Sequence, residues 1–75
     1  MQRIGSLIKE KLQEQKKTTV WFSKELGCSR TNVYKIFERE SINTGDLYRI
    51  CQILEFNFFK VYSEDINREL KKTKG

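Results

Sequence analysis

The chain has 75 residues, with 15 Lys or Arg against 10 Asp or Glu, so its formal net charge is +5 at pH 7. This length predicts one domain, and no apolar leader or membrane-spanning run is present, so we expect a soluble, cytoplasmic protein. Histidine is absent and only two cysteines occur, Cys28 and Cys51. We therefore expect no metal, no cofactor and no enzyme activity, because neither a zinc ligand set nor a His base for a nucleophile is available.

The N-terminal half of the chain is predicted to form three helices. The first covers residues 3–15, on apolar residues that recur three and four positions apart: Ile4, Leu7, Ile8 and Leu12. Thr18 can cap a second helix over residues 19–26, and Gly27 can end it in a left-handed conformation. Ser29 can cap a third helix that runs to about residue 38. Its inward residues are Val33, Ile36 and Phe37.

Two more helices are predicted in the C-terminal half. Asn43 can cap a fourth helix, whose apolar face is the cleanest in the chain: Leu47, Ile50, Cys51 and Leu54. Asn57 can cap a short fifth helix that ends near Tyr62. The mostly charged residues 64–75 are expected to be a tail that either frays or docks on another surface. We therefore predict one all-α domain over residues 1–63, followed by the charged tail.

Positive charge is concentrated at the start of the chain. Residues 1–39 hold nine basic and four acidic side chains, a net charge of +5. Residues 40–64 have a net charge of −2, and residues 65–75 have a net charge of +2. A cationic half indicates a polyanionic partner, either nucleic acid or an anionic membrane, although a basic protein without such a partner would show the same charge.

The two short helices joined by the turn at residues 27–29 have the helix-turn-helix arrangement. Over about residues 4–62 the chain resembles the phage-repressor and Cro-type (XRE-like) family of DNA-binding domains. The resemblance rests on Ile4-Gly5, on Lys24-Glu25-Leu26-Gly27-Cys28-Ser29-Arg30, and on Leu47-Tyr48-Arg49-Ile50-Cys51 with Leu54. It implies a lambda repressor-like bundle of about five helices and a bacterial or phage-like transcriptional regulator that occupies an operator and blocks or recruits polymerase. We expect a repressor.

The resemblance also implies roles for individual side chains. Those expected to face base edges are Arg30, Thr31, Tyr34 and Lys35. Those expected to hold the sugar-phosphate backbone are Thr19, Ser29, Arg39, Asn43 and Thr44. The chemistry suits these roles, because Arg and Lys can donate to guanine O6 and N7, while helix N-termini present amides to phosphate oxygens.

Four positions depart from the family pattern. Thr19 stands where glutamine is common, and its shorter side chain is expected to reach only phosphate. Leu12 and Phe37 replace an Arg–Glu ion pair, so we expect an apolar contact between the first and third helices. Ser23 replaces a typical alanine at the helix crossing and is small enough to fit.

Double-stranded operator DNA is the expected partner, with a homodimer as a further possibility. A membrane surface is not expected, because binding there would need a basic amphipathic helix and the first helix is mixed in charge. No effector pocket for a small molecule is indicated. An exposed aromatic among Phe56, Phe58 and Phe59 would suggest a dimer interface at the C-terminal end. The leading alternative is a protein-interaction module, such as an antitoxin or adaptor. Such a module would need an exposed apolar patch, which Trp21 and the three phenylalanines could supply. RNA binding fits the charge but not the motif, because helices enter the narrow major groove of A-form RNA poorly.

Overall fold

A computed structural model describes residues 3–74; Met1, Gln2 and Gly75, which fall in the predicted domain and tail, lie outside the described residues. Within this range the chain consists of helices and their connections. The helices are α1 (Ile4–Glu14), α2 (Thr19–Leu26), α3 (Arg30–Phe37), α4 (Thr44–Leu54) and α5 (Phe58–Lys74). The predicted all-helical fold with five helices is confirmed.

Side-chain caps begin four of the helices, as the sequence predicted. At the start of α3, Ser29 Oγ accepts a hydrogen bond from the Asn32 amide at 3.2 Å. The corresponding caps of α2, α4 and α5 are Thr18, Asn43 and Asn57. Gly27 ends α2 with φ of 71°, a left-handed conformation that costs glycine little. Each cap satisfies an amide that has no partner inside its own helix.

The core is made by the apolar faces of all five helices. Its fully buried members are Ile4, Ile8, Leu12, Phe22, Val33, Leu47, Ile50, Leu54 and Phe58. Phe37 is half-buried against this cluster, and Leu12 belongs to it. Both residues therefore belong to the apolar core, as the predicted contact between α1 and α3 requires. Ser23 is also buried, and its hydroxyl donates to the Val20 carbonyl at 2.8 Å.

The N-terminus of α1 lies against the end of α3. The Gly5 amide donates to the Arg39 carbonyl at 3.0 Å, and the Ile4 amide donates to the Glu40 carbonyl at 3.5 Å. Arg3, the N-cap residue of α1, makes no side-chain cap. The first two amides of α1 therefore find their hydrogen-bond acceptors in the segment that follows α3, and these bonds join the two helices.

The prediction of a fifth helix ending near Tyr62 is wrong. Helix α5 is 17 residues long and continues to Lys74, so residues 64–74 of the expected tail are helical. Its outer turns are joined by pairs three residues apart, such as Arg68 with Asp65 at 3.2 Å. Such pairs support a helix with little tertiary contact. No helix between residues 3 and 74 is long and apolar enough to cross a membrane.

Candidate nucleic-acid interface

Helix α3 presents one polar face to solvent. Val33 is buried beneath the helix, and this fixes which residues point outward. The four predicted base-contacting residues, Arg30, Thr31, Tyr34 and Lys35, are all exposed. They occupy adjacent turns of one helix face, because residues four apart lie next to each other. The structure thus brings these four side chains together on one surface, which we call the α3 face.

Tyr34 is held by an aromatic neighbour although its side chain is exposed. Its ring meets Phe37 edge-on, with the centroids 6.3 Å apart and the planes at 74°. Tyr34 keeps 55% of its surface accessible. The contact restricts the ring, so Tyr34 can offer a defined apolar surface and a hydroxyl to a partner.

The turn before α3 is held by backbone hydrogen bonds. The Gly27 amide donates to the Lys24 carbonyl at 3.2 Å, and the Cys28 amide donates to the Ser23 carbonyl at 3.0 Å. Ser29 then caps α3 at once. With so few residues between them, α2 and α3 pack directly on each other, and this contact keeps the α3 face pointed away from the body.

A groove of about 390 Å³ separates α3 from α4. Polar and charged side chains line both sides: Asn32, Lys35 and Arg39 along α3 and its end, and Asn43, Asp46 and Arg49 along α4. Its apolar lining is Leu26, Cys28, Ile36, Ile42 and Ile50. The groove carries three cations and one carboxylate, so it favours an anionic group.

The cations of this groove differ in their hydrogen bonding. Arg49 donates to the Glu25 carbonyl at 3.3 Å, and the one carboxylate, Asp46, accepts from Asn43 Nδ2 at 2.9 Å. Lys35 and Arg39 form no ion pair within residues 3–74 and are exposed. Lys35 and Arg39 are therefore available to bind an external anion, whereas the Arg49 guanidinium already donates one hydrogen bond to the end of α2.

Of the five predicted phosphate-binding residues, two line the groove and three lie outside it. Arg39 and Asn43 line the groove beside Lys35, and Thr44 is exposed at the first position of α4. Ser29 is exposed at the start of α3. Thr19 is half-buried at the first position of α2 and does not line the groove. Backbone amides at the starts of α3 and α4 add partial positive charge near this surface.

Two hydrogen-bond donors of the groove, Asn32 and Arg49, were not among the predicted site residues. Asn32 lies three residues before Lys35, and Arg49 lies three residues after Asp46. Both spacings place the donor on the same helix face as a charged residue of the groove. Helical spacing could have identified them, but only with knowledge that α3 and α4 face each other.

The cysteines and Trp21 lie at the edges of the core. Both thiols are free and half-buried, and Cys51 Sγ accepts a hydrogen bond from the Phe58 amide at 3.3 Å. No group of three metal-binding side chains occurs within the described range. Trp21 is half-buried, and Lys17 Nζ lies 4.9 Å from its ring centroid.

Comparisons of the chain with protein-family models, with curated proteins and with solved structures found no match. The geometry of the α3 face and of the neighbouring groove is therefore what bears on function.

Proposed function

We propose that this chain is a sequence-specific DNA-binding domain of the helix-turn-helix, lambda repressor-like kind that regulates transcription as a repressor. The observation that carries the proposal is the α3 face, where Arg30, Thr31, Tyr34 and Lys35 stand exposed together beside a cationic groove. An α-helix fits the major groove of B-form DNA, where each base pair shows a distinct set of donors, acceptors and methyl groups.

The side chains of the α3 face match the chemistry of base edges. Arg30 can donate two parallel hydrogen bonds to guanine, and Lys35 can donate to the same acceptors. The hydroxyl and methyl groups of Thr31 suit either a polar base edge or a thymine methyl. Tyr34, restrained by Phe37, adds an apolar surface for a thymine methyl or a hydroxyl for a phosphate.

The surrounding residues suit the sugar-phosphate backbone. In this proposal Arg39 and Asn43, which share the groove with Lys35, bind a phosphate next to the bases that α3 reads. The amides around Ser29 and Thr44 bind others, because helix N-termini attract anions. Thr19 contributes from the start of α2. Phosphate contacts of this kind fix the position of the protein without specifying the sequence.

The test is selection of bound duplexes from a random pool, followed by variants of single cations. Arg30→Ala should relax preference at one base position and cost about 1–3 kcal/mol on the selected site. Arg39→Ala should weaken binding to all sequences alike and lower the salt slope by about one. Lys60→Ala is the matched control, since this exposed cation lies on α5 near Glu64, and it should change neither.

Recovery of no enriched sequence would contradict the proposal, as would equal losses on selected and random DNA for both arginine variants. Such a result would favour the second candidate, a protein-interaction module such as an antitoxin or adaptor. Exposed apolar side chains on α4 and α5, namely Tyr48, Ile66 and Leu70, are the observation that supports this alternative.

A further inference from the structure

The groove between α3 and α4 has an apolar floor that a bound phosphate would leave uncovered. The floor is formed by Leu26, Cys28, Ile36, Ile42 and Ile50. The first four of these residues are only half-buried against the core, so part of their apolar surface faces the groove. A phosphate group binds the charged rim and covers little apolar surface. The floor therefore indicates a ligand that has an apolar part as well as a charge.

The rim of the same groove selects the sign of that charge. Lys35 and Arg39 are exposed and form no ion pair within residues 3–74, and Arg49 adds a third cation. The one carboxylate, Asp46, accepts a hydrogen bond from Asn43 Nδ2 at 2.9 Å. Three cations against one carboxylate leave the groove with a net charge of +2. An arginine fork binds a carboxylate through two parallel hydrogen bonds, so the rim suits a carboxylate ligand.

We propose that this groove is a regulatory site for a small organic carboxylate with an apolar body, and that this ligand competes with DNA. The carboxylate binds Lys35 and Arg39 at the rim, and the apolar body covers Ile36 and Ile42 on the floor. The groove volume of about 390 Å³ falls within the range of small-molecule sites, about 300–1,000 Å³. A singly charged head group suits the groove, because Asp46 on the α4 side repels a second negative charge. Local sequence patterns indicate no such pocket, since it forms only where α3 and α4 meet.

Lys35 links this ligand to the proposed function. It belongs both to the α3 face and to the groove, and Arg39 beside it is the proposed phosphate contact. A carboxylate held by these two cations takes the positive charge that DNA requires, so the ligand and the operator exclude each other. This regulatory consequence rests on the proposed function, whereas binding of the carboxylate does not.

The first test is titration of the full chain with octanoate in the absence of DNA, followed by amide NMR. The signals of groove residues such as Ile36 and Ile42 should shift saturably, with a dissociation constant of about 0.1–1 mM. Acetate has the head group without the chain, and octylammonium has the chain with the opposite charge; both should bind about tenfold more weakly or less. Arg39→Gln should raise the constant for octanoate about tenfold. Lys60→Gln, which neutralises an exposed cation of α5, should leave it unchanged.

Three results of this titration would overturn the carboxylate site. One is equal shifts with octanoate and octylammonium, and another is an unchanged constant in Arg39→Gln. The third is a set of shifts confined to Tyr48, Phe56 and Phe59, which line a separate groove where α4 meets α5. Such shifts would mean that the apolar chain binds without the cations.

The second test measures DNA binding in the presence of the ligand, by fluorescence anisotropy with the selected duplex. At about ten times its own dissociation constant, octanoate should raise the apparent dissociation constant of the DNA about elevenfold, the value for direct competition. Acetate at the same concentration controls for ionic strength and should have little effect. Octanoate that binds in the groove without weakening DNA binding would overturn the competition. A chain that binds octanoate but no DNA would end the regulatory role together with the proposed function and leave the carboxylate site standing.

Discussion

Gly5 lies where α1 crosses the end of α3, and the space there has no room for a side chain. A Cβ at this position would fall against the backbone carbonyls of Ile36 and Phe37. The Gly5 amide meanwhile donates to the Arg39 carbonyl. The close approach and the hydrogen bond depend on each other, because a side chain would separate α1 from the acceptor that its amide uses.

Gly5→Ala should therefore destabilise the protein, although alanine is the better helix former by about 1 kcal/mol. Overpacking against backbone costs about 1–3 kcal/mol or more. After the gain in helix propensity is subtracted, we expect a net loss of about 1–2 kcal/mol in urea denaturation. Gly45→Ala is the control: at that position the nearest neighbour of a Cβ is Asn43 Oδ1 at 3.5 Å. It should be neutral or stabilising, and equal effects of the two variants would show that the crossing is not tight.

Glu55 ends α4 in a left-handed conformation with φ of 52°. Left-handed backbone costs a non-glycine residue roughly 1–2 kcal/mol relative to glycine. Glu55→Gly should raise the free energy of unfolding by up to about 1 kcal/mol, because glycine also loses more entropy on folding. Gly27→Ala should lower it by a similar amount, since Gly27 has φ of 71° and open space around a Cβ. Thermal unfolding of the two variants measures both, and shifts of the same sign would contradict the argument.

At the scale of elements, the helix starts could be predicted because each depends on neighbours in sequence. Thr18, Ser29, Asn43 and Asn57 bond to amides three residues ahead. The length of α5 could not be predicted in the same way. Its outer half has few apolar residues, and side-chain pairs three or four apart support it in place of a buried face.

The cap of α3 gives a test at this scale. Ser29→Ala should lower the free energy of unfolding by about 1 kcal/mol, because the Asn32 amide loses its acceptor. Thr18→Ala removes the equivalent cap of α2 and should cost a similar amount. If α3 reads DNA, Ser29→Ala should also weaken operator binding more than Thr18→Ala does, as fluorescence anisotropy would measure. An equal loss of affinity in the two variants would place the interface elsewhere.

Another element-scale contact joins the end of α1 to the end of α4. Gln15 Nε2 donates to the Leu54 carbonyl at 2.6 Å, and Lys11 Nζ lies 4.0 Å from the Phe56 ring centroid. Gln15→Ala should cost about 1 kcal/mol in chemical denaturation, the usual net value of such a hydrogen bond. Gln13→Ala is the control, since this exposed side chain of α1 is not part of that contact. An unchanged denaturation midpoint for Gln15→Ala would show that this hydrogen bond does not stabilise the fold.

For the whole molecule, the all-helical fold and most of the core could be predicted from apolar spacing. The candidate interface could be predicted only in part. The apolar spacing of α3 predicts which side of the helix is buried. It therefore also predicts that the opposite side, with Arg30, Thr31, Tyr34 and Lys35, is exposed. The groove beside them depends on how α3 and α4 meet across the connection between residues 38 and 43, which local patterns do not determine. Asn32 and Arg49 were not predicted as site residues for that reason.

Salt dependence is the whole-molecule test of the charge distribution. If the α3 face and its groove bind DNA, the logarithm of the association constant should fall steeply and linearly with the logarithm of salt concentration. The slope is about −0.9 per phosphate neutralised, so three to five contacts predict a slope of roughly −2.7 to −4.5. A flat response would contradict phosphate binding by Lys35, Arg39 and the helix N-termini.

The junction between α1 and the end of α3 also has a consequence for how the chain acquires its structure during synthesis. The first amides of α1 find their acceptors about 35 residues later, at Arg39 and Glu40. The first turn of α1 therefore cannot complete its hydrogen bonding during synthesis until that segment has left the ribosome. A peptide limited to residues 18–38 would lack this partner, and its two eight-residue helices are too short to persist alone in water. Excised from the domain, the segment that carries the proposed specificity would not keep its shape.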